Sequence, residues 1–377
     1  MRKILKYMDK PLFFASMILF ILGLIMVFSA SNVTAYMSHA VSPYNYFLKQ
    51  AAFLGIGFVL FFFMLKFNTK SYGMFSWGLL LIGIASLILV LFLGAAKNKA
   101  ISWFDLGLIS IQPSEFVKVI TIVFLANYYD KGKERLTVWG KCLFPIAICA
   151  GVAALIFVQP DLGTTIIYCL IVGFIFLVVP IQKEIKYKTV FIACGSVFFG
   201  VMVLLGSGKG ILLERQMERF DFRNPCDKIL ENGSQVCNCY IAINNGGLTG
   251  VGLGNSTQKY LYLPEPYTDF IFAIIVEELG VITGVLIILA YMFILFRILL
   301  IGRRSPNNRG AVLCYGVAVY IFLHIAINLL GIMGLMPLTG VPLPFMSYGG
   351  SFTICLIASL AIVQRVSVEN GLLQERK

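Results

Sequence analysis

The chain has 377 residues, of which 59% are hydrophobic and 13% are charged, and its formal net charge is +12. A water-soluble domain cannot be built from this composition, because too little polar surface remains to cover it. No basic, aromatic-interleaved soluble segment is present, so the net charge reports membrane topology and contact with anionic lipid rather than nucleic-acid binding.

Apolar runs of about 18 or more residues predict membrane-spanning helices, because about 20 residues cross the hydrocarbon core. Ten runs follow one another, at residues 12–30, 47–65, 77–93, 116–128, 143–158, 164–179, 190–205, 270–300, 311–335 and 352–363. The fourth and tenth are short and are expected to begin inside the polar motifs that precede them. The fold class is therefore an all-α polytopic integral membrane protein, with residues 1–377 forming a single transmembrane domain.

Lys and Arg concentrate in alternate loops, which places both termini in the cytoplasm under the positive-inside rule. The first helix has the basic start of a secretory signal, but nine more spans follow it and we expect an uncleaved signal anchor. One long extracytoplasmic loop, residues 206–268, separates helices seven and eight. Within it, residues 212–222 are predicted to form an amphipathic segment.

Three of the nine cysteines, Cys226, Cys237 and Cys239, share this outer loop. Outside a membrane they predict one disulfide and one remaining thiol, with a cysteine-based metal site as the disfavoured alternative because the loop has no His. The chain has two histidines, and His324, on an apolar helix, is expected to be a packing residue. No protein metal site is predicted.

Polar motifs occur in four of the loops that this topology places outside the cell. They lie at residues 103–107 with 112–115, at 159–163, at 264–269 and at 342–351. Any one of them alone is typical of a helix start or a turn. Acid-rich or glycine-rich clusters on one face, opposite inner loops that carry mainly Lys and Arg, indicate a functional site.

Asp269 places a carboxylate at the mouth of the long apolar helix that begins at Phe270. An ionisable group at a membrane boundary is costly, which makes this residue a functional candidate. The alternative interpretation is a helix cap that accepts hydrogen bonds from the first amides of the helix.

The outer face of a membrane has no nucleotide supply, so a reaction there needs a substrate that arrives activated. The sequence has no phosphate-binding glycine loop and no His-bearing metal motif. A lipid-linked, phosphate-activated donor meets this requirement. A carboxylate acting as general base on a sugar hydroxyl, with cations neutralising the departing pyrophosphate, suits the residues present.

In order and spacing, these motifs resemble those of the SEDS family, the FtsW/RodA group of peptidoglycan polymerases. The resemblance covers nearly the whole chain, at residues 28–31, 112–115, 159–163, 250–254, 262–265, 268–270, 277–280 and 344–351. Residues 258–265 look more like the division-type (FtsW) proteins than the elongation type (RodA). Two positions depart from the pattern, because Tyr267 stands where His is common and Ile101 and Ser102 stand where basic residues are common.

The resemblance implies polymerisation of lipid II into β-1,4 glycan strands, with Asp269 deprotonating the GlcNAc 4-hydroxyl of the acceptor. Implied substrate-binding residues are Gln112, Glu115, Lys118, Gln159, Asp161, Lys259, Glu265, Ser347, Tyr348, Gly349, Gly350 and Ser351. Lys97, Lys99, Lys118 or Lys259 would hold the pyrophosphate, with Mg²⁺ or Mn²⁺ as a candidate cation.

The resemblance also implies a class B penicillin-binding protein as partner, together with divisome or elongasome proteins. Small residues are predicted to face lipid and dock the partner's helix. They are Gly316, Ala318, Ala326, Gly331 and Gly334 on helix nine, and Gly280 and Gly284 on helix eight. The alternative functions are a lipid II flippase, which should show internal repeats, and a non-catalytic scaffold.

Overall fold

A computed structural model describes residues 2–375 apart from residues 40, 98–99, 106, 108–109, 133, 193–194, 196–225, 227–232 and 261. Helices dominate these residues. They are α1 (Arg2–Tyr7), α2 (Lys10–His39), α3 (Asn45–Met64), α4 (Thr69–Leu93), α5 (Pro113–Asp130), α6 (Glu134–Thr137), α7 (Trp139–Val158), α8 (Leu162–Val178), α9 (Gly233–Gly246), α10 (Ile271–Arg303), α11 (Asn308–Ile332) and α12 (Gly350–Glu375). Residues 183–192 are also helical.

Three short strands lie between α4 and α5, in a segment that we predicted only as a loop. They are β1 (Ala95–Lys97), β2 (Ala100–Asp105) and β3 (Ser110–Ile111), and they form an antiparallel sheet in the order β1-β2-β3. The outer motif at residues 103–105 is therefore a strand that contacts α4 and α5.

Nine of the ten predicted spans coincide with a helix in the described part of the chain. Seven of these helices are long and apolar enough to cross a membrane, whereas α8 has 17 residues and α5 carries three charged residues within its 18. The two short predictions begin within their polar motifs, as expected, at Pro113 and Gly350. Most of predicted span 190–205, and the amphipathic segment 212–222, lie outside the described residues.

Helix α5 lies inside the bundle, where α4, α8, α11 and α12 pack around it. Its buried apolar side chains, such as Val117, Ile122 and Phe124, belong to the central hydrophobic core. The peripheral helices expose large apolar side chains instead, including Val59 on α3 and Leu81 on α4. A surface of this kind is suited to contact with lipid.

Basic side chains bind the helices together at one end of the bundle. Arg309 on α11 pairs with Asp130 at the end of α5, with its Nη1 3.1 Å from Asp130 Oδ2. Arg365 on α12 donates from Nη1 to Leu65 O at 2.9 Å, and Arg297 pairs with Asp9. This is the end that the Lys and Arg distribution assigns to the cytoplasm.

Helix α10 is interrupted at Gly280, where φ is 84°. The loop that follows α9 supplies the hydrogen bonds that the interruption breaks. Val251 N and Gly252 N donate to Glu277 O and Glu278 O at 2.9 and 3.0 Å, and Val281 N donates to Gly247 O at 2.9 Å.

Only glycine fits where this loop meets the helix. A β carbon on Gly280 would lie 2.2 Å from Leu248 O, and one on Gly250 would lie 2.2 Å from Glu278 O. Both positions also have positive φ, which glycine adopts without steric cost.

A disulfide joins Cys226 to Cys237 on α9, while Cys239 keeps a buried thiol. This agrees with the expectation of one bridge and one remaining cysteine. Helix α9 packs against α10, so the bridge fastens a segment of the outer loop to an element that supports the start of α10.

The small residues predicted to dock a partner are mostly occupied within the protein, so that prediction was wrong. A β carbon on Gly316 would lie 2.6 Å from Ile122 Cγ2, which places this glycine against α5. Gly280 packs against the loop at residues 247–252, and Gly334 packs against Tyr240. These glycines permit close approach inside the bundle rather than at a lipid-facing surface.

Candidate active site

The four outer motifs meet at one end of the bundle, at the starts of α5, α8, α10 and α12. Gln112 N donates to Ser351 Oγ at 3.0 Å, and Gln112 Nε2 donates to Asp161 Oδ2 at 3.1 Å. These two bonds join the starts of α5, α8 and α12. The motif before α12 is joined to the one before α10, because Ser347 Oγ donates to Thr268 O at 2.6 Å and Tyr348 N donates to Tyr267 O at 2.9 Å.

Local chemistry explains why helices begin at these motifs. Pro113 occupies the first turn of α5, where its missing N–H costs nothing. Asp161 caps α8 by accepting from Thr164 N at 3.0 Å and from Thr164 Oγ1 at 2.9 Å. At the start of α12, Gly350 lies so close to Phe53 that a β carbon would be 2.5 Å from the ring.

Asp269 does not cap α10. The capping position is Phe270, and no side chain there bonds to the helix amides. The Asp269 carboxylate is half-buried, and within the described residues no group donates a hydrogen bond to it. A carboxylate without donors is available to accept a proton from a ligand.

The loop before α12 lies between Asp269 and the start of α8. A β carbon on Gly340 would lie 3.4 Å from Asp269 Oδ2, and one on Gly163 would lie 3.0 Å from Thr339 O. Gly340 has a φ of 70°. The carboxylate therefore lies close to the backbone of Gly340, a residue without a side chain.

Burial, and to a smaller extent the nearby charge of Glu265, raises the pKa of Asp269 to about 7. Desolvation disfavours the ionised carboxylate, as does a second negative charge. Burial also raises the pKa of Tyr348 to about 12. The tyrosine hydroxyl stays protonated, so Asp269 is the group suited to act as a base near neutral pH.

Three tyrosines pack against one another, and one of them, Tyr267, lies two residues before Asp269. The ring centroids of Tyr46 and Tyr267 are 4.5 Å apart, and those of Tyr46 and Tyr348 are 5.2 Å apart. Tyr267 is buried, whereas Tyr46 and Tyr348 are half-buried. The residue that departs from the family pattern, Tyr267, is thus part of an aromatic cluster.

Two of the predicted pyrophosphate ligands, Lys118 and Lys259, are each 1% exposed and paired with protein groups. Lys118 Nζ lies 2.8 Å from Glu115 Oε1 and 3.0 Å from His324 Nε2. The expected packing residue His324 thus joins an ion pair.

Lys259 Nζ lies 2.9 Å from Glu278 Oε1 and donates to Gly254 O at 2.6 Å. Ser29 Oγ also donates to Glu278. The side chains of Lys97 and Lys99, the other two candidates, lie outside the described residues.

The remaining predicted residues divide into structural and open positions. Gln159 donates to Leu87 O at 3.1 Å from a fully buried position, and Gly349 N donates to Gln50 Oε1 at 3.2 Å. Glu265 is exposed and has a φ of 48°. Among the predicted residues at this end of the bundle, those that keep some exposed surface are Asp161, Glu265, Tyr348 and Gly349.

Sequence reasoning missed Gln50 and Asn328, which hold this end of the bundle together. Gln50 Nε2 donates to Thr353 Oγ1 at 3.0 Å, and Asn328 Nδ2 donates to Asp269 O at 2.8 Å. Both are polar residues inside apolar spans, and that is the signal that was available.

Known proteins resemble this chain in sequence and in fold. The family model for the FtsW, RodA and SpoVE group, described as cell cycle protein, matches residues 10–371. The chain belongs to this family. Together with its apolar helices, membership makes it a multi-pass protein of the bacterial cytoplasmic membrane.

Two relatives from Bacillus subtilis (strain 168) are similar over nearly their full length. A probable peptidoglycan glycosyltransferase FtsW is 37% identical over 374 residues, covering 98% of this chain and 92% of that protein. Stage V sporulation protein E is 35% identical over 371 residues, covering 95% of this chain and 96% of that protein.

A solved chain from a peptidoglycan synthase complex that coordinates polymerization and crosslinking has a TM-score of 0.77. It is 23% identical, and the match covers 96% of this chain and 98% of that one. At this identity the likeness shows the fold.

Proposed function

We propose that this chain is a peptidoglycan glycosyltransferase that polymerises lipid II on the outer face of the membrane, with Asp269 as its general base. The observation that carries the proposal is the half-buried Asp269 carboxylate, which lacks a hydrogen-bond donor among the described residues and has its pKa raised to about 7. Relatives named peptidoglycan glycosyltransferase FtsW support both the reaction class and a role in cell division.

In the proposed step, Asp269 takes the proton of the acceptor GlcNAc 4-hydroxyl. The oxygen forms a bond to the anomeric carbon of the donor MurNAc as the bond from that carbon to the pyrophosphate oxygen breaks. The configuration inverts, and undecaprenyl pyrophosphate leaves with the bonding electron pair. Asp269 then returns its proton to water, which its partial exposure permits.

The pyrophosphate departs with negative charge, and the surroundings of Asp269 provide groups that stabilise it. The N-terminal ends of α5, α8, α10 and α12 are joined by the hydrogen bonds between their motifs. Helix N-termini carry partial positive charge that favours anions. Because Lys118 and Lys259 are ion-paired, we assign them to shaping the site. Direct stabilisation of the pyrophosphate is assigned to the ends of α5, α10 and α12, since Asp161 already caps α8.

We further propose that a divalent cation, Mg²⁺ or Mn²⁺, accompanies the pyrophosphate. Within the described residues no three acidic, His or Cys groups are placed to hold a metal ion. Mg²⁺ commonly binds through substrate phosphates and one or two carboxylates, and the exposed Glu265 is a suitable carboxylate. When bound, the ion would neutralise charge on the leaving group.

We also propose a class B penicillin-binding protein as partner, because the family fold occurs in a complex that couples polymerization to crosslinking. The partner would cross-link strands that this chain polymerises. The exposed apolar side chains of the outer loop, Leu248, Leu253 and Tyr262, offer contact surface on the side where the strands emerge.

The test is polymerisation of labelled lipid II by the purified protein, with and without the cognate class B penicillin-binding protein. Asp269→Asn should fold normally and lower the polymerisation rate by about 10² to 10⁴, the usual contribution of a general base. Glu134→Gln is the control, because Glu134 is an exposed carboxylate on the cytoplasmic side. A near-native rate for Asp269→Asn in both conditions would disprove the assignment.

A further inference from the structure

The side chain of Asn328 joins two parts of the candidate active site. It is 5% exposed and lies on α11, one turn before that helix ends. Its Nδ2 donates to Asp269 O at 2.8 Å and to Val341 O at 2.8 Å. Both amide hydrogens of Asn328 therefore form hydrogen bonds, one to the backbone of Asp269 and one to the loop beside it.

The Asp269 carbonyl needs this donor because α10 does not supply one. The amides of Ala273 and Ile274 bond to Phe270 O, at 3.0 and 3.4 Å, so the helix ladder begins one residue after Asp269. A buried backbone carbonyl is normally paired. Asn328 provides the pairing and thereby fixes the orientation of the peptide that follows Asp269.

The second bond, from Asn328 to Val341 O, fixes the loop before α12. Val341 follows Gly340, the residue whose added β carbon would lie 3.4 Å from Asp269 Oδ2. Holding Val341 O and Asp269 O on a single NH₂ group sets the separation between the carboxylate and the loop. The acceptor hydroxyl of the substrate must reach the carboxylate beside this loop.

The identity of the side chain follows from the two carbonyl oxygens that it must meet. Asn328 Oδ1 is buried and has no hydrogen-bond partner among the described residues. The orientation of the amide is set by chemistry, because two carbonyl oxygens can be met only by its NH₂ group. An apolar residue of the same volume would leave both carbonyl oxygens without this donor, so the two-donor contact is what Asn328 contributes at this position.

We propose that Asn328 is a positioning residue that holds the Asp269 carboxylate at the distance and angle needed for proton transfer. This inference rests on the proposed function of Asp269 and adds the residue through which its geometry is set. A misplacement of about 1 Å in a catalytic group lowers rates by about 10²-fold. The effect should fall on kcat, because Asn328 contacts the backbone of Asp269 and not the substrate.

Asn328→Leu removes both donors with little change in volume, and Tyr291→Phe is its matched control. Tyr291 is buried on α10 and donates from its hydroxyl to Pro344 O at 2.6 Å, so it ties α10 to the same loop away from Asp269. Asn328→Leu should lower kcat for lipid II polymerisation by about 10- to 100-fold with KM unchanged. Tyr291→Phe should lower the unfolding temperature while leaving kcat unchanged.

Equal kcat in the two variants, at equal folded fraction, would overturn the positioning role. If Asn328→Leu fails to fold, Asn328→Ser keeps one donor and should show an intermediate loss of kcat, and a native kcat in that variant would also overturn it. Asp269→Asn is measured in parallel. An inactive Asp269→Asn beside a fully active Asn328→Leu refutes positioning alone, whereas an active Asp269→Asn refutes the proposed function.

Discussion

Gly340 lies beside the Asp269 carboxylate, and access to the carboxylate from this side can be tested by adding one methyl group. Gly340→Ala places a carbon about 3.4 Å from Asp269 Oδ2 and strains a backbone whose φ is 70°. Because the methyl group occupies the approach to the base, we expect polymerisation to fall roughly 10- to 100-fold.

Gly247→Ala is the control for Gly340→Ala, because it strains the backbone without crowding a neighbouring atom. Gly247 has a φ of 51° and no atom within 4 Å of its added carbon. The activity per folded molecule of the Gly247→Ala variant should match that of the unsubstituted protein in the same lipid II assay. A Gly340→Ala enzyme as active as Gly247→Ala would show that the carboxylate is not approached from this side.

The raised pKa of Asp269 predicts the pH dependence of the reaction. A general base acts in its deprotonated form, and the pKa of Asp269 is about 7 rather than its ordinary 3.8. The rate should therefore fall about tenfold for each pH unit below about 7 and level off above it. Single-turnover polymerisation across pH 5 to 9 measures this. A rate that stays constant down to about pH 5 would contradict it.

Single residues differed in how far the sequence revealed them. Asp269 was predicted because a charge at the start of an apolar helix stands out by itself. Asn328 was missed because its partners are backbone carbonyls, one of them 59 positions away, and a backbone acceptor leaves no trace in the sequence. The roles of Lys118 and Lys259 stayed open for a similar reason, since their carboxylate partners are identified only by contact.

At the scale of elements, hydropathy predicted α10 as one span over residues 270–300, and the structure interrupts it at Gly280. The interruption is stable because the loop at residues 247–252 completes its hydrogen bonds. Mean hydropathy does not detect such a break, because glycine is compatible with an apolar run. The motifs at residues 250–254 and 277–280, read separately in the sequence, are two sides of one contact.

The Lys259–Glu278 ion pair holds this loop against α10, and its role is open to a direct test. Lys259→Met should destabilise the protein by about 3 to 5 kcal/mol, because Glu278 would remain buried without its cation. Thermal unfolding in detergent measures the loss.

The double variant Lys259→Met with Glu278→Leu should recover most of that stability, since both charges are gone. It should also recover polymerisation if Lys259 is structural. A double variant that is stable but inactive would assign Lys259 to the pyrophosphate instead.

Across the whole molecule, the distribution of charge predicted the two ends of the bundle. The four acid-rich and glycine-rich motifs meet at one end through Gln112 and Ser347. At the other end, Arg309 and Arg365 each form an ion pair with a carboxylate. The packing between helices was harder to predict. Gly316 looked suited to a partner's helix, yet small residues serve contacts within and between chains equally, and only the fold distinguishes them.

The interrupted α10 has a consequence for the order in which the chain matures. The bonds that complete its backbone come from residues 247–252, which precede α10 and which the Lys and Arg distribution assigns to the outer side. An unpaired amide or carbonyl in hydrocarbon is costly. The segment that carries Asp269 therefore cannot reach its final structure while that loop remains on the cytoplasmic side. We therefore expect this loop to cross the bilayer before the start of α10 reaches its final structure, and newly made protein to stay inactive until then.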